Sequence, residues 1–418
     1  MTSPHLTPPR PDGEPTGTGG PLHGTTVLDL TNFLSGPYCT QILADLGARV
    51  IKLEPPEGDS SRAIPPHFVA GDSAYYLGNN RSKESIAVDL KRPEGLEIAQ
   101  DLIDRVDVVV ENFRPGVCRR LGFDVEEIRR RRPELVWASI SGFGQAGPWR
   151  DRPAYDLIVQ ALSGVMSLTG EPGRPSVRLG IPAGDLVAGM FAAIGVLAAL
   201  ADRARSGRGD QIDVAMLDCQ LSMLSYQAVY SMIDGKAPQR QGSRHDSIPT
   251  YRSFVAGDGR EFVVTANTER MWRELCAALE LDGLVDDPRF DSAGSRLRNK
   301  EALWHLLESA FARRPAADWV ARLAARRVPA ALIKTVPEAI ADAREAGREM
   351  VLDLGHDDGR KVSVIGNPVK FTDHQPAAPA FPPHLGENAH ALLNGFLGYP
   401  AQRVRELQET GVLARPRQ

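Results

Sequence analysis

Residues 25–54 read TTVLDLTNFLSGPYCTQILADLGARVIKLE and decide the fold of the first half of the chain. The apolar run Thr25–Leu30 predicts a buried strand, and a turn at Asn32–Pro37 precedes a helix around Tyr38–Leu46. A second apolar run, Arg49–Leu53, predicts another strand. Two strands joined through a helix form a βαβ unit, in which the strands run parallel.

Three later apolar runs continue this alternation of strand and helix: Ser85–Val88, Val106–Glu111 and Leu135–Ser141. We therefore predict the α/β fold class, with a doubly wound parallel sheet in a large first domain. Ligands of such sheets bind beyond the carboxyl ends of the strands. The functional residues are expected at those ends.

The middle of the chain predicts a buried helix and then a change of architecture. The apolar run Leu186–Ala201 is shorter than the roughly 20 residues that cross a bilayer, so we expect a core helix. The runs Tyr251–Ala256 and Arg260–Thr265 flank Gly257–Gly259, which predicts a β-hairpin. Helical patterns follow, and this part of the chain predicts a small α+β domain.

Composition excludes several classes of protein. The chain has 418 residues, of which 42% are apolar and 24% charged, and its net charge is −4. These values are typical of a soluble protein with two domains and argue against nucleic-acid binding. The four cysteines are far apart and form no cluster with histidine, so we expect reduced thiols, no metal site and a cytoplasmic location. Residues 1–22 lack the apolar segment of a secretory signal and predict a disordered tail, and we expect no membrane partner.

The turn of the first βαβ unit argues against a dinucleotide cofactor. Residues 31–37 read TNFLSGP where dinucleotide-binding proteins carry G-x-G-x-x-G. One glycine followed by proline does not offer the open backbone amides that a pyrophosphate needs. NAD is therefore not expected, and a nucleotide would have to be held elsewhere at the sheet edge by side chains.

Basic residues suited to phosphate binding stand at loop positions. They are Arg62, Arg81, Lys91, Arg114, Arg119 and Arg120. Arginine binds phosphate oxygens in pairs, and Phe113 offers a ring face for stacking. The residues alone leave open the alternative that each arginine is a solvated surface charge.

Seven stretches of the chain occur together in one known family. They are VLDLTNFLSGPYCTQILADLGARVIKLEPPEGDSSR, SIAVDLKRPEG, VVENFRPGVCRRLGFD, AYDLIVQALSG, GIPAGDLVAGM, SGRGDQIDVAMLD and PPHLGENAHALL. By their order and spacing, the chain from Gly24 to Leu413 resembles the family III CoA-transferases, also called the CaiB/BaiF family. Members of that family include formyl-CoA transferase and α-methylacyl-CoA racemase.

The resemblance implies an architecture that no spacing rule provides. Two chains interlock like links as a homodimer, each with a large α/β domain and a small α+β domain. On this basis we expect the large CoA-binding domain at residues 23–235 and a linker with the small domain at 236–330. A C-terminal segment at 331–418 is expected to return to the large domain.

The resemblance also implies the residues of the site. Asp185 matches the family's catalytic aspartate, and coenzyme A is expected as a substrate, with no permanently bound cofactor. The implied contacts of coenzyme A are Leu34, Ser35, Arg62, Val88, Asp89, Leu90, Lys91, Asn112, Phe113, Arg114, Arg120, Arg152, Pro153, Ala154 and Tyr155.

This assignment predicts a CoA-transferase that moves CoA from an acyl-CoA thioester to an acceptor carboxylic acid. The carboxylate of Asp185 would attack the thioester, and the cycle would pass through covalent anhydride and thioester intermediates on that side chain. Asp185 also precedes the predicted helix Leu186–Arg203. Backbone amides at the start of that helix would stabilise the carboxylate, and aspartate is a common N-cap.

Two alternative functions stay open from the sequence. The racemase branch of the family has a histidine where this chain has Tyr155, and a tyrosine is a poor base at neutral pH, which favours transfer over racemisation. A catalytically silent CoA-binding protein is the other alternative. Some transferases carry a glycine-rich lid, whereas the matching segment Arg240–His245 has a single glycine, so the sequence leaves lid closure open.

Overall fold

The structure of the chain, a computed structural model, describes residues 19–374 and 377–414. The predicted disordered tail lies outside the described residues except for positions 19–22. The chain forms two compact units. The first comprises the residues up to 163, 181–223 and those from 349 onwards, and the second comprises 164–180 and 224–348.

Strands and helices alternate along most of the described chain. The strands are β1 (Thr26–Asp29), β2 (Arg49–Glu54), β3 (Phe68–Val69), β4 (Asp72–Ser73), β5 (Lys83–Ala87), β6 (Val108–Glu111), β7 (Val136–Ser141), β8 (Gln211–Ala215), β9 (Tyr251–Val255), β10 (Glu261–Thr265), β11 (Ala330–Leu332), β12 (Val351–Gly355) and β13 (Lys361–Ile365). The α-helices are α1 (Ser35–Asp45), α2 (Ala74–Leu77), α3 (Pro93–Ile103), α4 (Val117–Arg120), α5 (Val125–Arg131), α6 (Asp156–Leu162), α7 (Val165–Leu168), α8 (Ala183–Ser206), α9 (Met216–Met223), α10 (Ser225–Asp234), α11 (Glu269–Leu279), α12 (Ala293–Arg298), α13 (Lys300–Phe311), α14 (Ala316–Ala325), α15 (Val336–Glu345) and α16 (Ala401–Glu409).

A six-stranded parallel sheet forms the centre of the first unit, with the strand order β5-β2-β1-β6-β7-β8. Strands β6 and β7 are buried along their whole length, because apolar cores cover both faces of the sheet. The predicted α/β fold with a parallel sheet is confirmed. The strand order changes direction between β1 and β6, which is the place where sheets of this kind bind ligands.

Two helices begin earlier than the sequence predicts. Helix α1 begins at Ser35 and helix α8 at Ala183, each three residues before its predicted start. Asp185 therefore lies inside the first turn of α8, and its predicted role as N-cap is wrong, because Pro182 occupies the cap position. Proline is tolerated there because the first N–H groups of a helix have no partner within the helix.

One face of α8 is buried, as predicted for a core helix. Its length and composition alone would also allow it to cross a membrane, a property it shares with core helices of soluble proteins. The small residues Ala188, Ala192 and Ala193 are buried in the core that also contains residues of α1. Gly189 packs on the main chain of Ser35, and a Cβ added to Gly189 would lie 2.6 Å from the Ser35 carbonyl oxygen.

The second unit contains the antiparallel sheet β11-β10-β9 and the helices that pack on it. The predicted hairpin is confirmed, because β9 and β10 pair on either side of Gly257–Gly259. Trp272, Phe311 and Trp319 are buried in its core. The predicted boundary at residue 331 falls inside this unit, because β11 pairs with β10 and the chain returns to the first unit only at 349.

The C-terminal segment that begins at residue 349 belongs to the first unit. Leu392, Val404 and Leu413 share a buried core with residues of β1 and β2. The amide of Asp89 donates a hydrogen bond to the carbonyl oxygen of Val412 over 2.9 Å. The end of the chain therefore supports the segment that follows β5.

Candidate active site

A cavity of about 260 Å³ lies at the carboxyl ends of β1, β2, β5 and β6. Parallel sheets present their ligand sites at this edge, so the location agrees with the sequence prediction. Five of the predicted contacts of coenzyme A line the cavity: Val88, Asp89, Leu90, Lys91 and Phe113. The fold thus places two separate stretches of the sequence, the one at Val88–Lys91 and the one at Phe113, around the same cavity.

Asp185 lies half-buried where α8 approaches the start of α1. The side chain of Ser35 lies beside the Asp185 carboxyl group and acts to lower the pKa of that group. Gly189, one turn further along α8, has no side chain to hold the two backbones apart. Ser35 and Asp185 are distant in sequence, and this close approach of two helices brings them together.

Asp156, which the sequence analysis missed, is a second carboxylate beside Asp185. Its Oδ1 accepts a hydrogen bond from the amide of Gly184 (2.7 Å), and its Oδ2 accepts one from Nε2 of Gln160 (2.7 Å). The Gly184 amide, in the first turn of α8, is therefore bonded to Asp156. The position of Asp156, directly after Tyr155 in the stretch AYDLIVQALSG, is the signal that could have found it.

The carboxyl group of Asp185 has an unusual affinity for protons. Burial, followed by the negative charge of Asp156, raises the pKa of Asp185 to about 7, and the hydrogen bond from Ser35 opposes this rise. Burial and then the charge of Asp185 raise the pKa of Tyr75 to about 12, so this phenol remains protonated near the carboxyl group. No sequence motif marked Tyr75. A carboxylate with a pKa near neutrality is partly ionised at pH 7 and more basic than an ordinary aspartate.

Asn112, a predicted contact of coenzyme A, holds the turn that precedes α1. Its Oδ1 accepts a hydrogen bond from the amide of Asn32 (2.9 Å), and its Nδ2 donates to the Asn32 carbonyl oxygen (2.8 Å). The same Nδ2 lies 3.4 Å from the hydroxyl oxygen of Ser35. The side chain therefore ties the end of β6 to the segment that carries Ser35.

Arg62 is not placed to bind a phosphate, and this part of the predicted site requires correction. Its side chain is 2% exposed, and its guanidinium group donates to both carboxylate oxygens of Glu54 over 2.7 Å. It also bonds Asp72 (3.0 Å) and the hydroxyl of Tyr76 (2.6 Å). Arg81, considered for the same role, is buried and paired with Asp45. The sequence alone cannot distinguish a buried arginine from a solvent-exposed one, because burial depends on residues that are distant in the chain.

The other predicted contacts lie outside the lining of this cavity. Leu34 is buried at the start of α1, whereas Arg114 and Arg120 are exposed, and Arg114 lines a second cavity of about 180 Å³. Arg152 stacks on Trp149 at 4.3 Å, followed by Pro153 and Ala154. Tyr155 is 67% exposed at the N-cap of α6. Their contact with coenzyme A stays a prediction.

The segment that matches the lid of some transferases lies in the second unit. Arg244 donates to a carboxylate oxygen of Glu171 over 2.8 Å, and the ring of His245 contacts that of Tyr251. Lid closure stays a prediction. Within the described ranges, no group of three or more His, Cys, Asp or Glu side chains is arranged to hold a metal ion.

A parallel sheet with a cavity at its carboxyl edge places the chain among the α/β proteins that bind a ligand at that edge. The sequence profile of CoA-transferase family III matches residues 22–389, and the chain belongs to this family.

Known relatives agree with this membership. The chain is 40% identical to the acetyl-CoA:oxalate CoA-transferase of Acetobacter aceti over 380 residues, which cover 90% of this chain and 96% of the relative. It is 35% identical to the succinyl-CoA:glutarate CoA-transferase of Mus musculus, covering 94% of this chain and 90% of that protein. Its structure is similar to the crystal structure of a CaiB/BaiF family protein from Brucella suis, with a TM-score of 0.82, 36% identity, and coverage of 91% and 100%.

Replacing Arg62 with methionine tests whether this arginine is structural. The change leaves Glu54 and Asp72 buried without their cation, so we expect the free energy of unfolding to fall by about 3 kcal/mol in urea titrations. The dissociation constant of coenzyme A, measured by calorimetry, should change by less than about threefold.

The exposed residue Arg120 provides the matched control for this variant. Arg120→Met should leave the free energy of unfolding within about 0.5 kcal/mol of the parent and weaken coenzyme A binding about tenfold. A stable Arg62→Met variant that no longer binds coenzyme A would contradict the structural role of Arg62.

The raised pKa of Asp185 predicts a pH-dependent gain in stability on its replacement with asparagine. Ionisation of Asp185 is less favourable in the folded state than in the unfolded chain, so the cost appears as the pH rises above about 4 and is complete above about 7. Asp185→Asn should therefore raise the free energy of unfolding at pH 8 by on the order of 2 kcal/mol, allowing for solvent screening.

At pH 4 the same variant should differ from the parent by only about 0.5 kcal/mol, because Asp185 is protonated in the folded state and about half protonated in the unfolded chain. Asp202→Asn, an exposed change on the same helix, should alter the free energy of unfolding by less than about 0.5 kcal/mol at both pH values. An equal effect of Asp185→Asn at pH 4 and pH 8 would refute the assigned pKa.

Proposed function

We propose that this protein transfers CoA from an acyl-CoA thioester to an acceptor carboxylic acid through covalent intermediates on Asp185. The observation that carries the proposal is the half-buried Asp185 carboxyl group, which lies in the first turn of α8 beside the Ser35 side chain. Curated relatives named as CoA-transferases over nine-tenths of the chain support the same class of reaction.

In the first half of the cycle, the ionised carboxylate of Asp185 attacks the carbonyl carbon of the acyl-CoA thioester. The carbon–sulfur bond breaks, CoA leaves as its thiolate, and a mixed anhydride joins Asp185 to the acyl group. The thiolate then attacks the aspartyl carbonyl of this anhydride. The donor acid leaves as its carboxylate, and Asp185 carries CoA as a thioester.

In the second half, the acceptor carboxylate attacks the aspartyl thioester and releases the CoA thiolate. The resulting anhydride joins Asp185 to the acceptor, and the thiolate attacks the acceptor carbonyl. The new acyl-CoA leaves and the Asp185 carboxylate is regenerated. Each intermediate is prone to hydrolysis, so the site has to exclude water during the cycle.

The neighbours of Asp185 suit this role. The pKa of about 7 keeps part of the carboxyl ionised at neutral pH and makes the carboxylate more basic than that of an exposed aspartate. We expect the adjacent Ser35 side chain to orient this carboxyl group. Asp156 is bonded to Gly184 and Gln160, so its charge stays in place beside Asp185.

The cavity at the sheet edge is the proposed place for part of coenzyme A. Phe113 offers an aromatic face, and Lys91 supplies a positive charge beside Val88–Leu90. The exposed Arg114 and Arg120 remain the proposed partners of the phosphate groups, because their guanidinium groups are not committed to buried carboxylates. Arg62 is paired with the buried Glu54 and is not among the proposed contacts of coenzyme A.

Transfer is favoured over racemisation of an acyl-CoA, the second candidate function. Tyr155 stands where the racemases have histidine, and an exposed tyrosine at neutral pH is a poor base. A racemase would exchange the α-proton of an acyl-CoA with solvent deuterium without any acceptor acid. A transferase requires the acceptor, so incubation in D₂O with acyl-CoA alone separates the two.

Replacement of Asp185 by alanine tests the proposed nucleophile. We expect transfer between acetyl-CoA or succinyl-CoA and a panel containing oxalate, glutarate and mesaconate to fall by at least about 10⁴-fold, since no other group replaces the nucleophile. Binding of coenzyme A should change by less than about threefold in calorimetry.

Mass spectrometry of the parent enzyme, quenched during turnover, should reveal an adduct on Asp185 that hydroxylamine removes. Asp202→Ala, on the same helix and exposed, is the matched control and should retain the adduct and full turnover. Undiminished transfer by the Asp185→Ala variant would refute the covalent mechanism.

We also propose that the protein is a homodimer, as the family resemblance implies. Met190, Phe191 and Ile194 on α8 and Leu157 and Ile158 on α6 are large apolar side chains left between 40% and 58% exposed. Apolar surface of this extent on two neighbouring helices is typical of a subunit interface.

The mass of the protein in solution tests the dimer. Light scattering after size-exclusion chromatography should give about twice the chain mass of 45.4 kDa. When refolded from urea, the variant Ile194→Asp should give a measured mass closer to that of one chain, whereas Asp202→Asn should assemble like the parent. A parent protein that elutes as a monomer at micromolar concentration would count against the proposal.

A further inference from the structure

We propose that Lys83, a fully buried lysine of β5, is a positioning residue that holds the Thr31–Pro37 segment so that Ser35 reaches Asp185. The proposal rests on the function assigned above to Asp185. Nothing in the motifs of the chain marked this lysine. The assignment follows from the contacts beneath α1.

The ammonium group of Lys83 donates its hydrogen bonds to groups at the start of α1 and to residues beside that helix. Its Nζ donates to Oδ2 of Asp29 (3.0 Å), to the carbonyl oxygen of Pro37 (3.0 Å) and to Oδ1 of Asn80 (2.8 Å). The side chains of Lys83 and Asp29 are both 0% exposed. Pro37 lies in the first turn of α1, two residues after Ser35. Lys83 therefore holds the main chain of α1 just after Ser35, the residue that lies beside Asp185.

Asp29, the ion-pair partner of Lys83, holds the other end of the Thr31–Pro37 segment. Its Oδ1 accepts hydrogen bonds from the amide of Thr31 (2.8 Å) and from the Thr31 hydroxyl (2.5 Å). A second buried lysine, Lys52, donates to the Thr31 carbonyl oxygen (2.8 Å) and pairs with Asp59 (2.8 Å). Both polar groups of the Thr31 backbone are thus held by buried charges.

Thr31 and Pro37, the two ends that are held in place, lie before and after Ser35 in the chain. A Cβ added to Gly36 would lie 2.3 Å from Cβ of Thr31, so the Thr31 side chain packs directly on the residue that follows Ser35. With Pro37 held by Lys83 and Thr31 held by Asp29, the main chain of Ser35 has little freedom to move. This position keeps the Ser35 side chain beside Asp185.

Stability alone does not account for this arrangement. A buried ion pair is expensive to desolvate, and apolar residues of similar volume often replace one without loss of stability. Here the charges bond main-chain atoms of one short segment, which an apolar pair could not do. The physical gain is a precise orientation of a group beside the reacting carboxylate, where an error of about 1 Å can cost about a hundredfold in rate.

The protonation state of Lys83 provides an independent test of its role, through the pH dependence of turnover. Burial, with a further contribution from Lys52, lowers the pKa of Lys83 to about 8 against the opposing charge of Asp29. The titratable groups that face Lys83 from the packed elements are Asp29, Lys52, Asp59, Cys39 and Asp45. Loss of the proton above pH 8 weakens the bond to Asp29 and loosens the segment. Turnover of the parent enzyme should therefore decline with a midpoint near pH 8.

A double-mutant cycle between Ser35→Ala and Lys83→Met tests the proposal. Each single variant should lower kcat about tenfold, leaving the KM for acyl-CoA within about twofold, because positioning acts on the reacting carboxylate. The double variant should also lose only about tenfold, since both changes remove the same interaction. The decline near pH 8 should be absent from Lys83→Met. A decline that persists there, or a double variant whose losses multiply to about a hundredfold, would overturn the proposal.

Arg296→Met controls for stability, because it removes a buried arginine of the second unit that bonds Glu269 and the Phe290 carbonyl oxygen. It should destabilise the protein while kcat stays unchanged. If Lys83→Met does not fold, Asn80→Ala replaces it in the cycle, with an expected loss of about threefold in kcat that is again absent in the Ser35→Ala background. A kcat that Lys83→Met or Asn80→Ala leaves unchanged would overturn the proposal. Failure of the covalent mechanism would instead appear as undiminished transfer by Asp185→Ala.

Discussion

The close contact between Gly189 of α8 and the Ser35 carbonyl oxygen is the constraint on which the site depends. Two backbones approach so closely that a single methyl group would separate them, and this approach places the Ser35 side chain beside Asp185. The alanines of α8 beside Gly189 are buried in the same core as α1, so the small residues of this helix determine the distance between the two helices. The chemistry therefore depends on packing, as well as on the identity of the carboxylate.

Buried ion pairs also hold the site in place. Lys52 and Lys83 pair with Asp59 and Asp29 beneath α1, and Arg62 pairs with Glu54 beside the cavity. Each cation bonds groups at the carboxyl edge of the sheet, where the strands end and the chain turns. Turns lack the hydrogen-bonding ladder of the sheet, so their backbone groups need other partners. The buried side chains provide those partners and give the edge a defined shape.

Much of the fold was predictable from local patterns. The apolar runs of β1, β2 and β6 and the glycine-bearing turn of the β9–β10 hairpin are short-range signals, and the structure confirms the strands they predict. The starts of α1 and α8 were placed three residues late, because the first turn of a helix contains proline or polar residues that do not show the apolar period. The boundary at 331 was misplaced because β11 is recognisable only from its pairing with β10.

The sequence by itself determined the order of strands and helices, the family, and the aspartate at the head of α8, because these follow from patterns within short stretches. Only the tertiary structure decided which charged residues face a ligand and which are buried against one another. It removed Arg62 from the site, assigned Asn112 to the turn that carries Ser35, and brought Asp156 beside Asp185. The physical reason is that burial and electrostatic partners arise from residues far apart in the chain, whose distances are set by helix packing.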